Sequence, residues 1–282
     1  MKQGSVGGIL WWLGERTFTK TTPGIATAYI KGDLILRPYA TFPHPNVLAG
    51  FLVVTFPLLV FNSIQITRLV RIPLIVFILL TTFITFSRSS WITLIVVIGV
   101  LIVYRYIDKS IYKTKYNLLV VLGSVLLLVS IIAVVPFVTE RFSNLASVDQ
   151  QSITLRSELN HAAIAIIRDH PLVGVGLNNF LVHLPNYHSI NTYQDIQPAH
   201  NIYLLAVSEI GFLGAGVIVL PILFIYKLKK RHIQNTRYNI LISLIALLLL
   251  GLFDHYPYTI HQMNLLGSIL VGLVFSREIT FK

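Results

Sequence analysis

The stretch from Ile72 to Tyr104 reads IPLIVFILLTTFITFSRSSWITLIVVIGVLIVY. It consists of two apolar runs, Ile72–Phe86 and Trp91–Tyr104, separated by Ser87-Arg88-Ser89-Ser90. Arg88 is the only charged residue within it. Neither run alternates apolar and polar residues with period two, so neither is a barrel strand. Each is shorter than the ~20 residues that a spanning helix needs, and flanking Ser, Thr, Trp and Tyr extend them. The stretch therefore predicts a helical hairpin in a membrane.

The same pattern recurs outward from this hairpin. Val47–Phe61 precedes it, and Asn117–Val138, Ile202–Tyr226, Tyr238–Phe253 and Ile260–Phe275 follow. Only 12% of the 282 residues are charged and 55% are hydrophobic. Mean hydropathy is +0.74. Soluble domains carry about 25% charged residues, so soluble, disordered and low-complexity classes are excluded. The fold class expected is an all-α integral membrane protein with about seven transmembrane helices. There are no cysteines, which removes disulfides, thiolate chemistry and Cys-ligated metals.

The net charge of +11 would suggest nucleic acid in a soluble protein. Here the positions of the basic residues give a different reading. Arg68, Arg71, Arg105, Lys109, Lys113, Lys115, Lys227, Lys229, Lys230, Arg231, Arg237, Arg277 and Lys282 all fall in loops on one side, with only Asp108 and Glu278 as acids. By the positive-inside rule that side is cytoplasmic. The opposite side holds Arg88, Arg141, Arg156 and Arg168 among acids. This topology gives an external N-terminal segment 1–46, helices one to four in 47–138, a large external loop 139–200, and helices five to seven in 201–282. An external start without an export signal predicts that further spans precede residue 1.

The long loop has its own pattern. Leu155, Leu159, Ala162, Ala163, Ile166 and Ile167 recur at helical spacing, and Pro171 ends the helix. The helix is amphipathic and is expected on the membrane surface or as a cap on the bundle. Gly174 and Gly176 mark turns. Long structured loops in compact proteins usually carry function.

Few ionisable residues are left on the outer face. Arg88 is either an interfacial arginine reaching headgroup phosphate or a guanidinium facing the anionic group of a lipid substrate. Arg156, read as lying in the first turn of the loop helix, is either solvated or a second such group. His200 and Asn201 immediately precede the fifth run. Asn201 reads as its N-cap. A helix N-terminus attracts anions and disfavours imidazolium, so His200 there is a candidate proton acceptor. Glu209, inside the fifth run, fits a structural network, and with Asn201 it is also a candidate for substrate binding. Arg37 and His44 lead into the first run, where Asn46 reads as an N-cap, and both are candidates for the same site. There is no phosphate-binding Gly-rich loop with Lys, no His-Glu-x-x-His helix and no Gly-x-Ser-x-Gly elbow.

An ordered set of motifs resembles the O-antigen ligase and polymerase family of bacterial membrane glycosyltransferases. The set is Arg37-Pro-Tyr-Ala-Thr-Phe-Pro-His-Pro-Asn46, Thr85-Phe-Ser-Arg-Ser-Ser-Trp91, Leu155-Arg156, His170-Pro-Leu-Val-Gly-Val-Gly-Leu-Asn-Asn-Phe180, Ala199-His200-Asn201-Ile-Tyr-Leu204, Glu209-Ile-Gly211 and Asp254-His255-Tyr256. The resemblance implies an inverting, metal-independent transfer of a glycan from an undecaprenyl-diphosphate carrier to an acceptor hydroxyl, with no cofactor. It implies that Arg88 and Arg156 engage the diphosphate and that His200 serves the acceptor. Location in the bacterial inner membrane, with the active site on the periplasmic face, follows from the same resemblance. Lipid A-core, growing polysaccharide and protein all stay open as acceptors. A non-enzymatic polysaccharide or lipid transporter, or a membrane scaffold subunit, is the alternative. A transporter would carry inverted repeats and charged or broken midplane helices. A scaffold would have no need of Arg88, Arg156 and His200 together.

Overall fold

The computed structural model describes residues 4–30, 33–60, 66–107, 148–229 and 236–275. The expected fourth run, Asn117–Val138, lies outside the described residues, as do Lys109, Lys113 and Lys115. The chain is mostly helical. It divides into two compact units. One comprises Met1–Asn144, Asn235–Leu247 and Leu270–Lys282; the other comprises Leu145–Gln234 and Leu248–Ile269.

In the first unit, a short helix α1 (Ile9–Trp12) precedes an antiparallel pair of strands, β1 (Thr27–Ile30) and β2 (Asp33–Leu36). This pair departs from the all-helical expectation. Its signal was the run Thr-Ala-Tyr-Ile and the run Asp-Leu-Ile-Leu on either side of Lys31-Gly32. Three apolar helices follow: α2 (Pro45–Val60), α3 (Arg68–Ile84) and α4 (Arg88–Ile107). Their interior contains Val53, Val54 and Phe56 of α2, Ile75, Ile78 and Leu79 of α3, and Leu94, Val97, Ile98 and Leu101 of α4.

The start of α2 departs from expectation. Pro45 is its first residue, and the cap is His44 rather than Asn46. His44 Nδ1 accepts from the Asn46 backbone N–H at 3.1 Å, and its carbonyl accepts from Val47 and Leu48. Proline has no N–H to satisfy at the first position, so the cap falls one residue before it. Asn46 is released for another task. Its Oδ1 accepts from Arg37 Nη2 at 2.6 Å, while Arg37 Nε donates to the Thr85 carbonyl at 2.7 Å. Arg37 is buried, so removing its guanidinium leaves two buried acceptors without these donors. Arg37→Leu is expected to destabilise the protein by about 2–4 kcal/mol, read as a lowered unfolding midpoint in detergent.

In the second unit, α5 (Val148–Asp169) carries the amphipathic pattern. Its apolar face does not lie on lipid. Leu159, Ala162, Ala163 and Ile166 are buried in one cluster with Phe180, Leu184, Ala199 and Leu205. Phe180 opens the short helix α6 (Phe180–His183), and Leu205 belongs to α7 (Ile202–Lys229). The loop helix is therefore a core element, its stripe covered by α7 and by the returning loop. Helices α8 (Thr236–Gly251), α9 (Tyr256–Thr259) and α10 (His261–Phe275) complete the described chain.

By length and composition, one helix among the described residues is long and apolar enough to cross a membrane: Ile202–Leu220 of α7. Pro45–Val60, Arg88–Tyr104, Tyr238–Gly251 and His261–Val274 are shorter apolar helices.

Helix α7 is broken. Gly211 has φ 64° and ψ −179°, outside helical geometry. The backbone groups freed there are taken up by the loop that follows α5. Val175 N–H donates to the Ser208 carbonyl and Gly176 N–H to the Glu209 carbonyl. Phe212 and Leu213 N–H groups donate to the carbonyls of Pro171 and Leu172. Gly174 also has a positive φ, and a Cβ on it would lie 2.4 Å from the Glu209 carbonyl. The two segments meet backbone to backbone, which only glycine permits at these two positions.

Candidate active site

The N-terminal end of α7 is organised by Asn201. Its Oδ1 accepts from the N–H groups of Tyr203 and Leu204, at 2.9 and 3.1 Å, the capping role expected of it. Its Nδ2 donates to the Leu252 carbonyl at 3.4 Å. That carbonyl lies just past the C-terminus of α8, where helix geometry leaves carbonyls without partners. Tyr203 Oη donates to the Leu248 carbonyl and Arg156 Nη1 to the Phe253 carbonyl. Gly251 permits this approach, because a Cβ there would fall 2.3 Å from Ile202 Cδ1. Gly251→Ala is expected to cost roughly 1–3 kcal/mol of stability through overpacking, measurable by thermal unfolding.

The turn after α8 carries Asp254 and His255. Asp254 is buried, and its Oδ2 lies 3.7 Å from Arg156 Nη2. Its Oδ1 accepts from the His255 N–H at 2.9 Å. His255 Nδ1 lies 2.7 Å from Thr259 Oγ1. The rings of His200 and His255 meet edge to face, with centroids 5.1 Å apart. The structure thus gathers Arg156, Asp254, His255 and His200, with Asn201 capping the helix that follows. Arg156 stands in the third turn of α5 rather than the first, because the helix begins at Val148. Asp254 and His255 were legible only as one motif of the resemblance, with no role attached.

Ligand atoms of His200, Asp254 and His255 lie within 4.8 Å of one another, a spacing that could hold a metal ion. The Arg156 guanidinium on the same carboxylate opposes a dication there. Burial pushes the His255 imidazole below its ordinary value, Asp254 pulls it upward less strongly, and Arg156 lowers it further. A depressed histidine stabilises the fold fully above the unfolded-state value near 6.5, and that contribution is lost as pH falls through the folded-state value. Thermal stability is expected to decline below about pH 6.5, and His255→Gln to flatten that decline.

Glu209 joins a structural network, as anticipated. Its buried carboxylate accepts from the Phe180 backbone N–H at 3.4 Å and from Tyr258 Oη at 3.0 Å. Burial and then the Glu209 charge push the Tyr258 phenol well above its ordinary range, so it stays a donor.

The remaining predicted residues belong to the first unit. Arg88 opens α4, with Ser87 before it. Ser87 Oγ lies 2.9 Å from Ser90 Oγ, and its carbonyl accepts from Trp91 N–H. Phe86 adopts φ 54°, which is uncommon for a bulky residue and strained. The turn is held by Arg37 on the Thr85 carbonyl, by Trp91 Nε1 on the Thr82 carbonyl at 3.1 Å, and by stacking of Trp91 on Phe83. Arg37 and His44, candidates for substrate contact, are engaged here with Thr85 and Asn46.

Among the described residues, one helix is long and apolar enough to cross a membrane, and a guanidinium and two imidazoles gather near its start. The family model described as O-antigen ligase matches residues 73–219. The chain belongs to the O-antigen ligase family, a membrane family of glycosyltransferase-like enzymes. The match takes in Arg88, Arg156, His200, Asn201 and Glu209. No curated protein matches the chain.

Proposed function

We propose that the chain transfers a glycan from an undecaprenyl-diphosphate carrier to an acceptor hydroxyl by inversion, without a metal or cofactor. The observation that carries this reading is the cluster in the second unit: a fixed guanidinium, Arg156, beside the His200–His255 pair. The acceptor oxygen attacks the anomeric carbon from the face opposite the diphosphate. The carbon–oxygen bond to phosphate breaks, and its electron pair goes to the leaving diphosphate. The acceptor proton passes to the His200 imidazole and then to water. Negative charge grows on the bridging oxygen, and preorganised cations in a site of low dielectric stabilise it. Arg156 takes that role, and Arg88 shares it by the resemblance of its Ser87–Ser90 turn. At the first position of a long helix, Arg88 adds its charge to the positive end of the dipole.

Several side chains act through others. Asp254 holds Arg156, Asn201 fixes the start of α7, and Arg37 braces the turn before Arg88. They are positioning residues. The acceptor is lipid A-core, a growing polysaccharide or a protein.

In this reading the apolar helices are the expected spans. Residues 1–46 and 139–200 lie on the periplasmic face of the bacterial inner membrane, and segments 47–138 and 201–282 form the bundle. The exposed apolar side chains of α3, such as Leu69, Phe77 and Leu80, then face lipid.

The test is the full chain in liposomes with undecaprenyl-diphosphate-linked glycan and an acceptor. Glycan transfer that persists in EDTA is expected. Arg88→Ala should lower it roughly 10²-fold or more. A folded chain that leaves all glycan on the carrier, with every acceptor class offered, overturns the reading.

A further inference from the structure

The loop Pro171–Val182 has two kinds of side chain. Phe180 is buried in the core of the second unit, and Val175 packs against it. Four apolar ones point away from the protein. Leu172, Val173, Leu177 and Val182 are 61%, 69%, 62% and 71% exposed. No charged residue occurs between Pro171 and Val182. A surface loop in water would leave this apolar area exposed without compensation.

The backbone of this loop is unusual in a second way. Gly174, Val175, Gly176, Asn179 and Val182 N–H groups all donate to carbonyls. The carbonyls of Pro171 and Leu172 accept from α7, and that of Val175 accepts from Asn179 Nδ2. Irregular backbone is tolerated at membrane depth only where protein satisfies it. The seam with the broken helix meets that condition for the N–H groups of Val175 and Gly176 and the carbonyls of Pro171 and Leu172.

The seam also fixes its level. Leu172 is bonded to Leu213, just past the Gly211 break. From there α7 presents an exposed apolar surface, with Phe212 and Val217 at 59% and 73%. The apolar faces of loop and helix are therefore continuous. From Phe212 to Lys229 the helix is roughly 27 Å long at ~1.5 Å per residue, close to the ~30 Å hydrocarbon core.

We propose that the Pro171–Val182 loop is a membrane-dipping hairpin whose Leu172, Val173, Leu177 and Val182 sit in the acyl region of the leaflet at that end of α7. The lipid boundary then lies near Ser208 and Glu209, whose carbonyls hold Val175 and Gly176, and the Ile202–Val207 part of α7 stands in the headgroup layer. That places His200 and Arg156 just outside the headgroups, where a lipid-borne diphosphate and a water-soluble acceptor meet. The inference rests on the reading of α7 as a membrane span.

The chain has no cysteine, so single nitroxide labels can be placed without background. Labels would be introduced by Leu172→Cys, Val173→Cys, Leu177→Cys and Val182→Cys in phosphatidylethanolamine–phosphatidylglycerol liposomes. Val217→Cys reports the span. Ser152→Cys, roughly 25 Å up α5 from the loop, reports water. At the four loop sites, collision with a polar nickel chelate is expected to fall roughly tenfold below that at Ser152→Cys, with oxygen collision as high as at Val217→Cys. Loop labels that meet the chelate as freely as Ser152→Cys overturn the proposal while the span reading stands. Loop labels shielded from both reagents indicate a protein partner and also overturn it. A chelate-exposed Val217→Cys overturns the span reading, and the proposal with it.

Discussion

Gly211→Ala is expected to lower the unfolding midpoint of the detergent-purified chain by roughly 10 °C or more. Two effects add. The backbone at Gly211, with φ 64° and ψ −179°, costs an L-residue about 1–3 kcal/mol. The new Cβ would also lie 2.2 Å from the Leu172 carbonyl oxygen and 2.5 Å from the Val173 nitrogen. These are backbone atoms, not the ends of flexible side chains, so loop and helix must separate. Separation breaks the bonds from Val175, Gly176, Phe212 and Leu213, each worth about 1 kcal/mol net. The total is roughly 5–7 kcal/mol. Gly216→Ala is the control. Nothing lies within 4 Å of a Cβ there, so the helix should gain up to ~1 kcal/mol. Equal effects at the two positions would mean that the seam at Gly211 contributes no stability.

The contrast between these glycines shows where sequence reading stops. Gly211, Gly214 and Gly216 lie in one apolar run, and nothing local separates the one that breaks the helix. The break depends on the Pro171–Gly176 loop arriving from elsewhere in the chain. The α5 stripe was legible because period and burial are both local: Leu159, Ala162, Ala163 and Ile166 were named from spacing, and all are buried. Asn201 was legible for the same reason, as a cap acts within one turn. Asn46 misled because Asn and His both offer a cap, and the missing N–H of Pro45 decided between them. At the candidate site, place on the predicted outer face and the family resemblance singled out Arg156 and His200 but not what joins them. Asp254 reaches Arg156 across a long sequence separation, and no periodicity reports such a pair.

His200→Ala is expected to lower turnover roughly 10²–10⁴-fold, the usual contribution of a positioned general base. The ring is buried against His255, so Ala also opens a cavity, and a loss of activity alone would be ambiguous. His200→Gln keeps the volume and a hydrogen-bonding side chain but lacks the imidazole base. Both variants should therefore lose turnover alike, while the unfolding midpoint drops only for Ala. Binding of the lipid diphosphate should be unchanged in both, because the proposed mechanism gives that work to the arginines. Arg156→Lys gives the complementary pattern. It keeps the charge beside Asp254 but loses the planar fork, so donor affinity and turnover fall together. A split of this kind, histidine acting on turnover and arginine on both, is what acid–base and electrostatic roles require of separate side chains. His200→Gln with wild-type turnover would remove the base from the mechanism. It would leave the guanidinium and the intrinsic leaving ability of the diphosphate to carry the transfer.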